Sequence, residues 1–490
     1  MLTLLLCLAS AVLLVSLAPP LGWVWLAPFA LTPLLYAMHR EHGRARRFLS
    51  AWAAGIVYWF VVCVWIQDVL FRHGGLPLAG SWAVFLLFAL AKGLHLGVFG
   101  TLAGPLMREP WAVPAVAALW AGLERTHGPL GFTWLTLGDA GIGMSVPMRL
   151  APFTGVYGLS FAFATMAAVV AMVALRRRRQ IFWLAALVLL LILPPLPDGP
   201  AADRQAAVIQ PNISPDEQWT AEWATETRER MLKRSVEIAL SGGSRPEMIL
   251  WPEMPFPLYY SRSAKFREEL AMLTRATSTP LLAGVVNHND RDQPLNSAVF
   301  LAPSGDLIDT YDKINLVPFG EFVPPFFGFV DKVSTEAGTF APGNRVVVFP
   351  VGNRRVGAFI CYESAFPDLV RQFVDRGATV LVNLSNDGYF SRTAAREQHL
   401  KLVRMRAAEN RRWILRATND GITAAIDPAG RIIESWPRYV EHAGRLGYAH
   451  FESLTVYSRI GDWFAWLCLI LALCGSAWTY IPKYRPVRRP

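Results

Sequence analysis

The sequence predicts a membrane α-helical bundle joined to an extramembrane α/β domain, and three observations predict it. Of 490 residues, 53% are hydrophobic and only 17% are charged, a balance that an all-soluble chain of this size rarely shows. The long apolar runs are confined to the first 197 residues and to residues 462–481. Between them the texture changes to short apolar runs punctuated by Pro, Gly, Asn and Asp and interleaved with charged stretches, the pattern of alternating strands and helices. The expected organisation is a transmembrane bundle at 1–197, a folded domain at 198–461, and a final span with a basic tail at 462–490.

Crossing about 30 Å of hydrocarbon takes roughly 20 helical residues. About eight spans are expected, near 2–18, 21–38, 50–70, 82–106, 110–124, 151–175, 181–197 and 462–481. The first lacks the basic residues that precede the apolar core of a cleavable leader, so it is expected to be retained. Arg40, Arg44, Arg46 and Arg47 follow the second run, Arg108 the fourth, Arg176 to Arg179 the sixth, and Lys483, Arg485, Arg488 and Arg489 the last. The intervening short loops hold only Arg72, Arg125 and Arg149. Basic residues stay in the cytoplasm, which places both termini there and the 198–461 domain on the opposite side of the membrane.

The net charge of +10 resolves along the same boundary. Residues 198–461 hold 30 Lys and Arg against 31 Asp and Glu, while the rest of the chain holds 17 against 6. The basicity belongs to the membrane part and sets topology, which removes the main argument for a nucleic-acid partner. Lys92 and His95 fall inside the fourth run, where ionisable groups are costly and face a bundle interior or mark function.

In the extramembrane domain, strands are expected at 206–210, 248–251, 281–286, 298–302, 356–360, 379–384, 414–418, 423–426 and 431–435, each bounded by turn residues. Helices are expected at 222–240, 265–276, 368–375 and 394–411. Four of five cysteines lie in the apolar runs, leaving Cys361 alone in this domain. One cysteine forms no internal disulfide, and no Cys or His cluster has metal-ligand spacing. No GxGxxG or Walker-type motif is present, so neither a metal nor a cofactor is expected.

Three segments carry chemistry. Cys361 closes the run Val356-Gly357-Ala358-Phe359-Ile360 and precedes Tyr362-Glu363-Ser364, a strand-to-turn position that exposes a nucleophile beside unpaired backbone N–H groups. Ile249-Leu250-Trp251-Pro252-Glu253 ends another strand in a carboxylate, and the segment from Tyr311 to Phe322 supplies Lys313 and Glu321. A thiol of ordinary pKa about 8.5 needs a base or a cation to become a nucleophile, and a shielded Glu serves as that base.

In this chain order the motifs Trp251-Pro252-Glu253, Asp312-Lys313 with Pro318 to Glu321, and Cys361-Tyr362-Glu363 resemble those of the nitrilase or carbon-nitrogen hydrolase superfamily. With a multi-span bundle before them and one span after, the chain resembles the apolipoprotein N-acyltransferase family over nearly its whole length. Gln210 to Ile213, Asn383 to Asp387 and His399 to Asp427 add to the likeness, as do Glu124 and Phe132 to Gly138, with Thr133 where Pro is usual. The resemblance implies an αββα sandwich and a Glu-Lys-Cys triad in which Glu253 is the general base, Lys313 stabilises the oxyanion and Cys361 accepts the acyl group. It implies supporting roles for Glu321, Tyr362 and Glu363, and a functional role for Trp219. The family's Asn-Asp-Ala-Trp-Phe-Gly loop reads Asn386-Asp387-Gly388-Tyr389-Phe390-Ser391 here, which leaves its shape and head-group preference open. Trp134, Phe322 and Tyr389 are candidate substrate or lipid contacts, within a rim that includes Phe326 and Phe327.

The activity implied is ping-pong transfer of an acyl chain from the sn-1 position of a phospholipid, such as phosphatidylethanolamine, to the amine of the S-diacylglyceryl-cysteine that begins an apolipoprotein. The partners implied are the bilayer, the phospholipid donor and the diacylglyceryl apolipoprotein acceptors, with a monomer as the expected state. The residues alone also admit a membrane-tethered amidase that gives its acyl group to water. A non-catalytic receptor would not need all of Glu253, Lys313 and Cys361.

Overall fold

A computed structural model describes residues 1–214, 220–318, 320–322 and 340–480. The chain begins with helices α1 (Leu2–Leu17), α2 (Thr32–Arg40), α3 (Arg44–Val62), α4 (Trp65–Arg72), α5 (Leu78–Leu106), α6 (Ala112–Thr126), α7 (Ala151–Thr154), α8 (Val156–Ala174) and α9 (Leu184–Val188). All but α4 contribute to one apolar core, into which α15 (Trp463–Tyr480) also inserts Ala465, Cys468 and Ala472, while Trp65, Val69 and Leu70 of α4 pack in a second cluster with Trp59 of α3 and Phe85 of α5. The α3–α5 contact is close because each helix offers a glycine at the crossing. A Cβ on Gly55 would lie 2.7 Å from the carbonyl of Gly93, closer than packed atoms tolerate.

The expectation of about eight full spans is not met by helix length. Among the described residues, α5 and α8 alone are long and apolar enough to cross a bilayer, with α3 and α4 a third crossing if the pair, bent by 57°, is taken as one. The apolar run at 21–38 is split between a short 3-10 helix containing Pro28 and the nine residues of α2. The run at 181–197 breaks into 3-10 turns around the five residues of α9. Apolar composition marks these segments as bundle material, but a proline or a break in the backbone hydrogen-bond ladder shortens the helix.

The extramembrane domain contains strands β1 (Arg204–Gln210), β2 (Met248–Trp251), β3 (Leu281–His288), β4 (Pro294–Leu301), β5 (Leu307–Asp312), β6 (Val348–Val351), β7 (Arg354–Ile360), β8 (Val380–Ser385), β9 (Ile414–Thr418), β10 (Ala424–Ile426), β11 (Ile432–Ser435) and β12 (His442–Tyr448). Its helices are α10 (Ala221–Leu240), α11 (Ala264–Thr277), α12 (Pro367–Asp375), α13 (Ala395–Asn410) and α14 (Val456–Ile460). One six-stranded sheet has the order β12-β1-β2-β3-β4-β5 and the other β11-β10-β9-β8-β7-β6. The strands β1, β2 and β3 run parallel, as do β7, β8 and β9, with antiparallel strands outside each trio.

Side-chain alternation explains the layering. Along β1, Ala206 and Val208 face the opposite sheet, where β9 lies against β1, and join the core that also holds Val356, Ala358 and Ile360 of β7. Ala207 and Ile209 face outward onto Met231 of α10 and Phe266 and Leu270 of α11. The second sheet is covered by Val370 and Phe373 of α12 and Val403 and Ala407 of α13. The result is the four-layered αββα sandwich. Helix α13 also joins the two parts of the chain, because Met405 and Ala408 belong to the core of the bundle. Its Glu409 accepts a hydrogen bond from the N–H of Val156 at the start of α8 (2.9 Å).

Three strands escape the sequence pattern. The strand β5 carries exposed Leu307 and Ile308, β6 contains Pro350 at a sheet edge, and β12 contains two glycines. Each departs from the apolar run that signals a buried strand.

Candidate active site

Glu253, Lys313 and Cys361 each follow the C-terminal end of a strand: β2 and β5 in one sheet, β7 in the other. The facing sheets bring these ends to the same side of the sandwich. Glycine permits the approach on the Glu253 side, because a Cβ on Gly284 of β3 would collide with the carbonyl of Pro252 and lie 2.6 Å from the Cα of Glu253.

The ammonium of Lys313 donates to Glu253 Oε1 at 3.1 Å and to Glu321 Oε1 at 2.9 Å. All three residues are buried. The amide of Asn296 donates to the same two oxygens, at 2.8 and 2.7 Å. Backbone donors fix the far oxygens: Asn386 N–H to Glu253 Oε2 (2.8 Å) and Val317 N–H to Glu321 Oε2 (2.7 Å). Burial alone would lower the pKa of Lys313, but the carboxylates of Glu253 and Glu321 hold it well above the ordinary lysine value. The lysine therefore stays charged, and the glutamates are clamped rather than free to swing.

Cys361 adopts φ +50°, a conformation that few residues other than glycine accept. That strain accompanies a sharp turn from β7 into a short 3-10 helix, Cys361–Ala365. Burial and the charge of Glu253 push the thiol well above its ordinary pKa, opposed by Lys313 and by a hydrogen bond with Ser385. The thiol is thus protonated at rest and requires proton removal to attack. The carbonyl of Cys361 is 2.9 Å from His399 Nε2, whose Nδ1 lies 3.0 Å from Asp387. Arg416 reaches both carboxylate oxygens of Asp387, at 2.8 and 2.7 Å. Burial would raise the Asp387 carboxyl, but Arg416 and His399 hold it well below the usual carboxylate range.

Of the supporting residues, Glu363 is wholly buried. It accepts from Tyr311 Oη, Ile314 N–H and Asn315 N–H on one oxygen and from Ile360 N–H on the other. It fixes the lysine segment to the nucleophile turn. Burial raises its carboxyl to about 7 despite these donors. Tyr362 turns toward the bundle, where its hydroxyl accepts from Thr133 N–H (3.2 Å) and donates to Thr133 O (3.3 Å).

The candidate lipid contacts fall in different places. Trp134, expected at a lipid-contacting rim, is instead buried: its indole N–H donates to Gln398 at 2.7 Å, and its ring packs against Trp65, Tyr362 and Phe390. Phe322 is half-buried and Tyr389 is exposed, 5.0 Å from the ring of His73. Trp219, Phe326 and Phe327 lie outside the described residues.

Asn296, which bridges the two glutamates, and the Asp387–His399–Arg416 group behind Cys361 were not legible as site residues. Their signal is the polar residue at an interior position of a strand or helix. Asn296 on β4 and Arg416 on β9 are both buried, and a buried polar group persists only with a partner.

A clamped carboxylate, a buried ammonium and a thiol at a strained turn lie at the strand ends of a carbon-nitrogen hydrolase-type sandwich attached to a helical bundle. Residues 205–449 match the carbon-nitrogen hydrolase family, and residues 10–169 match the apolipoprotein N-acyltransferase N-terminal domain. The apolipoprotein N-acyltransferase of Geobacter metallireducens is 33% identical over 503 aligned positions, covering 97% of this chain and 94% of the relative. That of Gloeobacter violaceus is 31% identical, covering 96% and 93%. A solved amidase of the nitrilase superfamily from Nesterenkonia AN1 is 16% identical, covering 51% of this chain and 92% of its own, with a TM-score of 0.40. The chain belongs to the apolipoprotein N-acyltransferase family. It is a membrane acyltransferase of the nitrilase superfamily with a role in lipoprotein N-acylation.

Proposed function

We propose that the protein transfers an acyl chain from the sn-1 ester of a membrane phospholipid to the N-terminal amine of diacylglyceryl apolipoproteins, through a thioester on Cys361. Glu253 removes the thiol proton as sulfur attacks the ester carbonyl, and Lys313 with nearby backbone N–H groups stabilises the oxyanion. Collapse breaks the ester C–O bond, Glu253 returns the proton to the departing alkoxide, and lysophospholipid leaves. The acceptor amine then attacks the thioester, gives its proton to Glu253, and forms an amide as the thiol is regenerated. Neither step needs a metal or a cofactor.

The observation that best supports this reading is the paired clamp on Glu253 and Lys313 together with the Tyr362–Thr133 contact, which couples the nucleophile turn to the membrane bundle. A hydrolase of soluble amides has no use for that coupling. The protein is read as a monomer in a bacterial inner membrane, with the sandwich on the periplasmic face and both termini in the cytoplasm.

The deciding experiment is intact-protein mass spectrometry of detergent-purified enzyme given phosphatidylethanolamine, first alone and then with a diacylglyceryl lipopeptide, with Cys361→Ala as control. Ping-pong transfer requires an acyl increment on the wild type alone, discharged as N-acylated peptide. Hydrolysis of small amides without an adduct would favour the tethered amidase.

A further inference from the structure

A second cleft, of about 450 Å³, opens between the C-terminal end of α4 and the loop that follows Asn386, within the range of small-molecule sites. Arg72, His73, Arg392 and Arg396 line it, against the single carboxylate of Asp420.

The basic groups are held together rather than scattered. The guanidinium groups of Arg396, Arg392 and Arg438 lie 4.6, 5.0 and 5.8 Å from the ring centre of Tyr439. Arg396 is committed to structure, with Asp420 at 2.8 Å and the carbonyl of Ser391 at 2.8 Å, and Arg438 pairs with Glu397. Arg392 is exposed at the mouth. Arg396 and Arg438 are thus each balanced by a carboxylate, and Arg392, held on the face of the same ring, presents its charge to the cleft.

The cleft is joined to the reaction centre through one loop. The N–H of Asn386 holds Glu253, and five residues on, the hydroxyl of Ser391 donates to Asp68 of α4. The same Asp68 holds Arg72 Nε at 2.8 Å. Ser391 sits at φ +49°, where the family's glycine would be unstrained, and its hydroxyl is what the substitution adds to this junction. Arg72 closes a helix whose Trp65, Val69 and Leu70 are buried in the bundle, the kind of apolar-helix end at which basic residues meet lipid phosphates.

We propose that this cleft binds the phosphate diester of the phospholipid donor, with Arg392 and Arg72 as its ligands; the assignment rests on the phospholipid-donor reading above. Only the glycerol backbone separates that phosphate from the sn-1 ester, so the headgroup of a reacting lipid must sit close to the loop beside Cys361. A guanidinium suits the two free oxygens of a phosphodiester.

The test compares two acyl donors on the full chain in detergent micelles: phosphatidylethanolamine and a p-nitrophenyl acyl ester, which has no phosphate. Loading of Cys361 is followed by intact mass in wild type, Arg392→Gln, Arg392→Lys and Arg72→Gln. The expected result is a fall of roughly tenfold or more in kcat/KM for phosphatidylethanolamine relative to the ester in the two Gln variants, carried by KM, with partial recovery in Arg392→Lys. An unchanged ratio, with wild type loading normally from the phospholipid, overturns the cleft assignment alone. Wild type that loads from the ester but from no phospholipid overturns the donor reading and the headgroup assignment with it. Inhibition by inorganic phosphate as strong as that by glycerophosphoethanolamine, at matched ionic strength, identifies a free-phosphate site and also overturns the headgroup assignment.

Discussion

The ammonium of Lys313 lies 3.1 Å from Glu253 Oε1, with both side chains buried. Glu321 shares the same ammonium at 2.9 Å, so one positive charge faces two carboxylates beside the Cys361 thiol. Burial and the charge of Glu253 raise the thiol pKa while Lys313 lowers it, so the two partners of this ion pair act on the sulfur in opposite directions.

Glu253→Gln separates basicity from charge. Removing the carboxylate removes a cause of the raised Cys361 pKa, so the thiol pKa falls and the thiolate fraction at pH 8 rises. Iodoacetamide should alkylate Cys361 faster in this variant than in wild type, while acyl loading falls by about 10²–10⁴ for want of a base. Slower alkylation would show that Glu253 does not govern the thiol by charge.

Gly284→Ala tests the alignment of the base. The added methyl meets the backbone at Pro252 and Glu253, so the end of β2 must shift. Overpacking costs about 1–3 kcal/mol of stability, and a displacement near 1 Å costs about 10²-fold in rate. Thermal unfolding and loading rate measured together should show activity falling further than stability; wild-type activity would mean that Glu253 tolerates displacement.

The pair of Asp387 and Arg416 is a stability device behind the nucleophile. Arg416→Met leaves the buried carboxylate with its hydrogen bonds to His399 and Ser385 but without the guanidinium that balances its charge, a loss of about 3 kcal/mol at neutral pH. In wild type the Asp387 pKa is depressed on folding, so its contribution is present above the unfolded value and lost as pH falls through the folded one. In the variant burial raises the folded pKa, and the relation reverses: stability is present below the unfolded value and lost as pH rises through the folded one. The Tm gap between the two proteins should therefore be larger at pH 8 than at pH 5. A constant gap would place the cost elsewhere.

Glu253 and Cys361 are legible in the sequence because each follows a buried apolar run, whereas Lys313 follows β5, whose exposed Leu307 and Ile308 hide the strand, and stands out only through its motif. Asn296 is different. It lies inside β4, flanked by Leu295 and Ser297, and acquires its role only when the segment after β2 and the Glu321 segment bring two carboxylates to it. His399 likewise depends on a tertiary relationship, between α13 and the turn at Cys361. Trp134 reads in sequence as an aromatic residue beside a membrane span, and its burial shows only in the tertiary structure, where Gln398 of α13 takes its indole N–H. Fewer helices reach spanning length than the apolar runs suggest, because composition records which segments are apolar, not where Pro28 or a 3-10 turn interrupts a helix.

The topology has a direct test. A reporter fused after Pro490 should be active only in its cytoplasmic form, and one inserted near Asp290, in the turn between β3 and β4, only in its periplasmic form. The opposite pattern would overturn the orientation derived from the distribution of Arg and Lys.

The contact between Tyr362 and Thr133 predicts that the bundle aligns the nucleophile. Both hydrogen bonds use the backbone of Thr133, so Thr133→Ala leaves them intact, whereas Tyr362→Phe removes both and strands a buried N–H, at a cost of about 1–3 kcal/mol. The Phe ring keeps the stacking on Phe132, whose centroid lies 5.7 Å away, so the fold should survive. If the bundle only anchors the sandwich, Tyr362→Phe will lower Tm without lowering the rate of Cys361 loading below that of Thr133→Ala. If it positions the turn, loading will slow in Tyr362→Phe alone, and the slowing will persist well below the Tm of the variant.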